Sequence, residues 1–403
     1  MTPSAGQGVR LGFAMAVNSE PGPSLLLSSP HLSFRIVRVF RGSSIAYFEP
    51  KMYLIGLGTA TPPERYTQQE CWEALRASVP FAQLQPRSKA ILKKVLLGDN
   101  GIATRHLCLN PLSDAFQLHP DALHDRYAKH APRLAAQAAQ RALQSAGTAP
   151  EEVDAVLIST CTGYLCPGLT SYLTEQIRLR GDALGLDLVG QGCGAALPNL
   201  RTAEALLGSG RCECVLSVCV EICSAAFYLD DDAGVLVSAC LFGDGAGAAV
   251  LSRKPQGTRR SVRWLEAGST LIPEDRDRLR FEQKGGMLRN RLTLEVPELA
   301  GEQAEAVLVQ TLHRARVDRR QIAAWILHAG GRDVLLALQN RMQLRDEELK
   351  WSAAILRRFG NVSSPSVLFV LEEALAAGAP DGFWWMSSFG AGFSCHGALL
   401  EVA

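Results

Sequence analysis

Past residue 51, apolar residues fall into two rhythms that alternate along the chain. Short unbroken runs, such as MYLIGLG from Met52, VDAVLIST from Val153 and CVLSVCVE from Cys214, read as strands buried on both faces. Between them, apolar residues three and four apart predict helices over residues 131–146, closed by Gly147, then over 171–180 and 195–207. A strand over 186–190 precedes the last of these, and a glycine-rich turn near Gly243 runs into an apolar strand ending at Leu251. A second series follows, with strands over 262–267, 323–328, 382–389 and 395–402 and helices over 302–314, 334–342 and 364–376. Strands and helices in alternation predict a mainly parallel sheet covered by helices, an α/β fold. The two series are alike in kind without an obvious sequence repeat. They predict two halves, residues 52–260 and 261–403, in a duplicated five-layered α/β/α/β/α arrangement.

Residues 1–51 have a different texture, with Ser, Pro and Gly and brief apolar bursts such as Leu25-Leu26-Leu27. No apolar core followed by a small-residue cleavage site marks a signal peptide. The segment is expected to be a disordered extension, with Met52 a natural start.

Composition narrows the function classes. The 403 residues are 47% hydrophobic, enough for a large core, and carry a net charge of +1 from 41 basic and 40 acidic side chains. That balance offers no field for nucleic acid or an anionic membrane surface. The apolar runs are far shorter than the roughly 20 residues a membrane span needs. The eleven cysteines are odd in number, and several lie in predicted core strands. They are expected to be reduced, in a cytoplasmic protein. Cys212-Glu213-Cys214 and Cys219 to Cys223 lack the second ligand pair of a zinc site, so no metal is expected.

Candidate chemistry centres on Cys193. It lies in LDLVGQGCGAAL, an apolar strand, a glycine turn and the start of an alanine-rich helix. Unpaired N–H groups and the helix dipole at that position favour a thiolate, the nucleophilic form. His328 ends the predicted strand AWILH and precedes Ala329-Gly330-Gly331, at the carboxyl end of a strand where parallel sheets place ligands. Asn361, in RFGNVSSPSVL, could cap the following helix, but Ser363 or Ser364 can serve as that cap and leave Asn361 free. Cysteine, histidine and asparagine in this order also describe papain-like proteases. The protease signature around the cysteine is absent here, and Cys193 lies mid-chain.

Four segments together carry a resemblance. GQGCGAALPNLRTA around Cys193, LFGDGAGAAVLS from Leu241, WILHAGG around His328 and GNVSSPSVLFVLEE from Gly360 resemble the type III polyketide synthases, the chalcone and stilbene synthase family, over residues 52–403. The resemblance implies a thiolase fold, a homodimer, malonyl-CoA and acyl-CoA as substrates, and no metal or redox cofactor. It implies that Cys193 takes the starter acyl group and pairs as a thiolate with His328. It further implies that His328 and Asn361 donate hydrogen bonds to the malonyl thioester oxygen as carbon dioxide leaves. Phe227 matches a gatekeeper phenylalanine beside the cysteine, Ser363 a pocket-shaping serine, and Lys93, Lys94 and Arg105 the region of coenzyme A cations.

The chain departs from the plant pattern in three places. Gly285 to Leu292 holds no phenylalanine where a second gatekeeper is expected, so this mouth of the pocket should differ. The loop ending in GFGPG reads Ser388-Phe389-Gly390-Ala391-Gly392, with Gly390 expected to line the cyclisation cavity. Cys161 and Cys166 stand where plant enzymes carry threonine and methionine, as expected of the bacterial branch, and Cys161 is a candidate pocket residue. Bacterial members make tetrahydroxynaphthalene, alkylresorcinols, alkylpyrones or phloroglucinols, and the sequence does not choose among these. A ketoacyl-acyl-carrier-protein synthase III shares the fold and the Cys-His-Asn set but condenses once. A non-catalytic acyl-CoA-binding relative would be expected to have lost Cys193, His328 or Asn361.

Overall fold

A computed structural model describes residues 52–255 and 260–403. The expectation of disorder over residues 1–51 therefore lies outside the described residues. The first strands and helices are β1 (Met52–Ala60), β2 (Arg65–Thr67), α1 (Gln68–Arg76), α2 (Val79–Gln83), α3 (Pro86–Leu97) and β3 (Thr104–His106). Then come α4 (Pro120–Ala146), β4 (Ala155–Ser159), α5 (Leu169–Ile177), β5 (Leu184–Leu188), α6 (Ala196–Gly208), β6 (Cys214–Glu221), α7 (Ala233–Leu241) and β7 (Gly245–Ser252). The second series comprises β8 (Val262–Leu271), β9 (Leu279–Lys284), β10 (Met287–Leu292), α8 (Val296–Ala315), β11 (Ile322–Leu327), α9 (Arg332–Arg341), α10 (Asp346–Phe359), α11 (Ser366–Ala376), β12 (Gly382–Gly390) and β13 (Ser394–Val402).

Nine strands form one mixed sheet in the order β11-β12-β13-β8-β1-β7-β6-β4-β5, with more antiparallel than parallel pairings, contrary to the mainly parallel sheet expected from the alternation of strands and helices. Its two sections repeat one pattern. In the first, β4 runs parallel to β6, β6 antiparallel to β7, and β7 antiparallel to β1. In the second, β11 runs parallel to β12, β12 antiparallel to β13, and β13 antiparallel to β8. The sections meet where Met52–Leu54 of β1 pair with Val262–Trp264 of β8. The repeat is thus a repeat of topology, which explains why it leaves no trace in the residues. Helices α6 and α11 each contact strands of both sections and form the middle layer, with α4 and α5 outside the first section and α8 and α9 outside the second.

Close packing of α4 on β1 depends on small residues. Ala138, Ala139, Ala142 and Ala146 of the helix are buried, and β1 meets them with Gly56 and Gly58. A Cβ built on Gly56 would lie 2.3 Å from the Ala142 carbonyl oxygen, so the strand can carry no side chain there.

The differences from the sequence expectation have physical causes. Helix α4 begins at Pro120, well before residue 131, because its first turns are charged and expose Asp121, Asp125 and Lys129. Helix α7, AGVLVSACL, has no polar face and so shows no helical rhythm. Strand β5 sits two residues earlier than expected, since as an edge strand it exposes alternate residues. The helices α1 to α3 and α10 and the β9–β10 hairpin had no counterpart in the expected elements.

Gly56→Val is expected to lower stability by about 3 kcal/mol or more, through a clash that neither backbone can relieve. The melting midpoint relative to wild type checks this.

Candidate active site

Cys193 sits in a single helical turn, Gly192–Gly194, between β5 and α6, and is 7% exposed. The end of β12 wedges against this turn. Gly390 lies so close that a Cβ on it would stand 2.1 Å from the Gln191 carbonyl oxygen, and the Ser388 hydroxyl donates to the Gly194 carbonyl at 3.1 Å. Gly390 thus shapes the backbone that carries Cys193. The sulfur lies 3.2 Å from the Ser363 Oγ.

His328 follows directly on β11. Its amide donates to the Ser387 carbonyl at 2.9 Å, and Phe389 meets its ring edge-on at a centroid distance of 5.0 Å. The ring is buried, and neither nitrogen has a hydrogen-bond partner. Burial alone pushes its pKa down to about 3. Burial likewise pushes the Cys193 thiol up to about 12, against the pull of the Ser363 hydroxyl and with the Glu221 carboxylate adding to the rise. No hydrogen bond joins Cys193 to His328 in this structure, and burial works against the charges of the expected thiolate–imidazolium pair. The partner of Cys193 is Ser363, and desolvation favours the neutral form of both groups over any help from the helix terminus. A neutral imidazole still offers one N–H donor.

Asn361 is held by its backbone and its side chain together. Its amide donates to the Leu241 carbonyl and its carbonyl accepts from Gly243, beside Phe242. Its Nδ2 donates to the Gly330 carbonyl at 3.0 Å, and its Oδ1 accepts from the Ser363 amide at 2.8 Å. One side chain thus ties the loop after His328 to the loop that faces Cys193. Neither Ser363 nor Ser364 caps α11 with its hydroxyl, contrary to expectation. The reason is a buried carboxylate that claims Ser364.

That carboxylate is Glu221, at the end of β6 and 0% exposed. It accepts from the Ser364 hydroxyl at 2.5 Å, the Thr162 hydroxyl at 2.9 Å, the Cys161 amide at 3.0 Å and the Cys161 thiol at 3.3 Å. Burial raises its pKa while these donors oppose the rise. Cys161 also approaches the Ser363 hydroxyl, at 3.6 Å, so Cys161 and Cys193 share one oxygen. Glu221 was missed in the sequence because it ends an apolar strand and was counted within it. A carboxylate in VCVEIC, at the carboxyl end of a buried strand, was the available signal.

With this geometry established, comparison with known proteins is decisive. The family described as FAE1/Type III polyketide synthase-like protein matches residues 51–267, and the chalcone and stilbene synthase C-terminal domain matches residues 265–400. The chain is a type III polyketide synthase. It is 30% identical to the 1,3,6,8-tetrahydroxynaphthalene synthase of Streptomyces peucetius subsp. caesius over 372 residues, 90% of this chain and 93% of the relative. It is 29% identical to the 3,5-dihydroxyphenylacetyl-CoA synthase of Streptomyces toyocaensis over 363 residues, 87% of this chain and 90% of the relative. Among solved structures, PKS-I from the brown alga Ectocarpus siliculosus superposes with a TM-score of 0.80 at 24% identity, covering 88% of this chain and 98% of that one. The tetrahydroxynaphthalene synthase of Streptomyces coelicolor A3(2) gives 0.77 at 24% identity, covering 87% and 99%. The synthase has the thiolase-like fold.

An apolar cavity of the synthase abuts these groups through Thr162, Cys223 and Phe242. Leu75 of α1 and Leu92 and Leu96 of α3 line one side, and Phe227 and Phe281 also face it. Phe227 meets Phe116 edge-on at 6.2 Å, and no ring contact ties it to His328. The aromatics beside those groups are Phe389 and Phe242, neither singled out as a gatekeeper from the sequence. Of the basic residues expected at coenzyme A, Lys93 and Lys94 are exposed on α3. Arg105 is buried, with its guanidinium bound to Gln68 and to the Ala239 and Phe242 carbonyls. It is a structural cation and is not free to hold a phosphate.

Two outcomes test this geometry. With no substrate, alkylation of Cys193 by iodoacetamide should rise about tenfold per pH unit from pH 7 to 10, as a thiol of high pKa requires; a plateau near neutrality would reveal an ion pair instead. Ser364→Ala, which strips a donor from the buried Glu221, should cost about 2 kcal/mol, read from the urea midpoint.

Proposed function

We propose that the synthase carries out its malonyl-CoA condensation with Cys193 as nucleophile and with His328 and Asn361 as hydrogen-bond donors. Cys193 sulfur attacks the thioester carbonyl of an acyl-CoA or malonyl starter, and coenzyme A thiol leaves with the proton that the cysteine gave up. Malonyl-CoA then binds with its thioester oxygen facing His328 and Asn361. As its carboxylate leaves as carbon dioxide, the electron pair passes to the thioester oxygen, where the two donors meet the growing negative charge. The enolate carbon attacks the acyl-cysteine and the Cys193 sulfur departs, leaving a coenzyme A thioester longer by two carbons, which Cys193 takes up again with release of coenzyme A thiol. Repetition and cyclisation give an aromatic or pyrone product.

The observation that carries this reading is the buried convergence of Cys193 and Asn361 on Ser363, with His328 joined to Asn361 through Gly330. His328 has two unpartnered ring nitrogens and Asn361 has a second amide N–H beyond the one given to Gly330, so both have a donor to spare. On this reading the reaction needs no metal or redox cofactor, because decarboxylation supplies the driving force. Lys93 and Lys94 are the proposed phosphate contacts, on the outer face of a helix whose inner face lines the cavity. The synthase is proposed to act as a homodimer in the cytoplasm. Strand β5 ends the sheet with Leu184 44% exposed and Val189 64% exposed nearby, which supports pairing there. No helix of the described residues is long and apolar enough to cross a membrane.

The test incubates purified protein with radiolabelled malonyl-CoA, alone and with short, aromatic and long-chain acyl-CoAs. Multiple condensations are expected. Cys193→Ala should abolish extension and leave malonyl-CoA decarboxylation, whereas Asn361→Ala should slow decarboxylation itself by about a hundredfold. Normal extension by Cys193→Ala would sink the nucleophile assignment. A single condensation that required an acyl-carrier protein would point instead to a ketoacyl synthase activity.

A further inference from the structure

The β9–β10 hairpin forms its own two-stranded sheet, not hydrogen-bonded to the central nine strands. Across it Asn290 pairs with Phe281, and both line the apolar cavity. Asn290 is 6% exposed, and its Oδ1 has no hydrogen-bond partner. Three other polar groups of the lining are engaged. The Thr162 hydroxyl donates to Glu221, the Ser224 hydroxyl to Asp244, and the Arg105 guanidinium to Gln68 and two carbonyls. Asn290 is also not free to swing out to water. The neighbouring Arg289 is buried among Asp230, Asp232 and Glu282, a cluster that fixes the hairpin on the loop before α7.

A buried acceptor without a donor is disfavoured, and native structures rarely keep one without a use. Here it stands on the wall of a mainly apolar cavity, with Leu75, Leu92, Leu96, Phe227 and Phe281 in the same lining. We propose that Asn290 is a specificity-determining residue that accepts a hydrogen bond from a hydroxyl on the acyl group held in this cavity. The acyl group is then an apolar body bearing a hydroxyl: a phenol on the starter, or the enol of the growing polyketide chain. A wholly apolar wall discriminates weakly against an added hydroxyl, whereas a placed acceptor strongly favours it. The proposal rests on the synthase reading above for the identity of the ligand as an acyl thioester.

The test uses Cys193→Ala, which cannot turn over, and measures binding of phenylpropanoyl-CoA and its three ring-hydroxylated isomers by calorimetry. At least one hydroxylated isomer should bind about tenfold more tightly than the parent. The preference should vanish in Cys193→Ala/Asn290→Leu while affinity for the parent stays within about twofold. Asn290→Ala replaces Asn290→Leu if the melting curve shows that the latter does not fold. A second arm compares products from malonyl-CoA alone, made by wild type and by Asn290→Leu with Cys193 intact. No starter preference but a fall in the cyclised fraction in Asn290→Leu would assign the hydroxyl to the growing chain. No preference and no change in product would overturn the proposal. The binding arm needs no turnover, so its result is independent of any failure of the synthase reading, which would appear as no product at all.

Discussion

The site hangs on one buried carboxylate. Glu221 emerges from the end of β6 and gathers hydrogen bonds from the loop after β4, through Cys161 and Thr162, and from the loop before α11, through Ser364. Those two loops belong to opposite sections of the sheet. A carboxylate is costly to bury, and the cost is met only if every donor is in place. The same requirement that satisfies Glu221 therefore fixes Ser363, and Ser363 in turn faces Cys193 and orients Asn361. The geometry of the proposed catalytic groups follows from satisfying a group that need not touch substrate.

Dryness is the second constraint. Cys193 and His328 lie where charge is expensive, and burial favours the thiol and the neutral imidazole. For a reaction that develops negative charge on a thioester oxygen, this is useful. Donors held in a place without water act more strongly on that charge than they would at a surface. The unpartnered nitrogens of His328 fit such a role, since the donor is not already committed.

Around these groups the cavity is shaped by elements that owe little to the central sheet. The hairpin that brings Phe281 and Asn290 to the wall is held by charge pairs around Arg289. Its far wall comes from α1 and α3, whose leucines pack inward while Lys93 and Lys94 face outward. The proposed catalytic groups and these two walls of the cavity thus rest on separate supports, and one can vary while the other stays.

By itself the sequence determined the class of fold, most of the central strands and the family of the chain, and it marked three candidate reactive residues. It could do so because buried strands are written as unbroken apolar runs and because Cys193, His328 and Asn361 each sit in a marked local context. Tertiary structure alone decided the rest. It made Ser363 the partner of Cys193, turned Arg105 from a phosphate contact into a buried support, and put Phe242 on the cavity wall together with Phe227. It also made Glu221 the hub and left Asn290 unpaired in an apolar wall. These depend on which residues far apart in the chain share a dry space, and local patterns of apolar and polar residues carry no record of that.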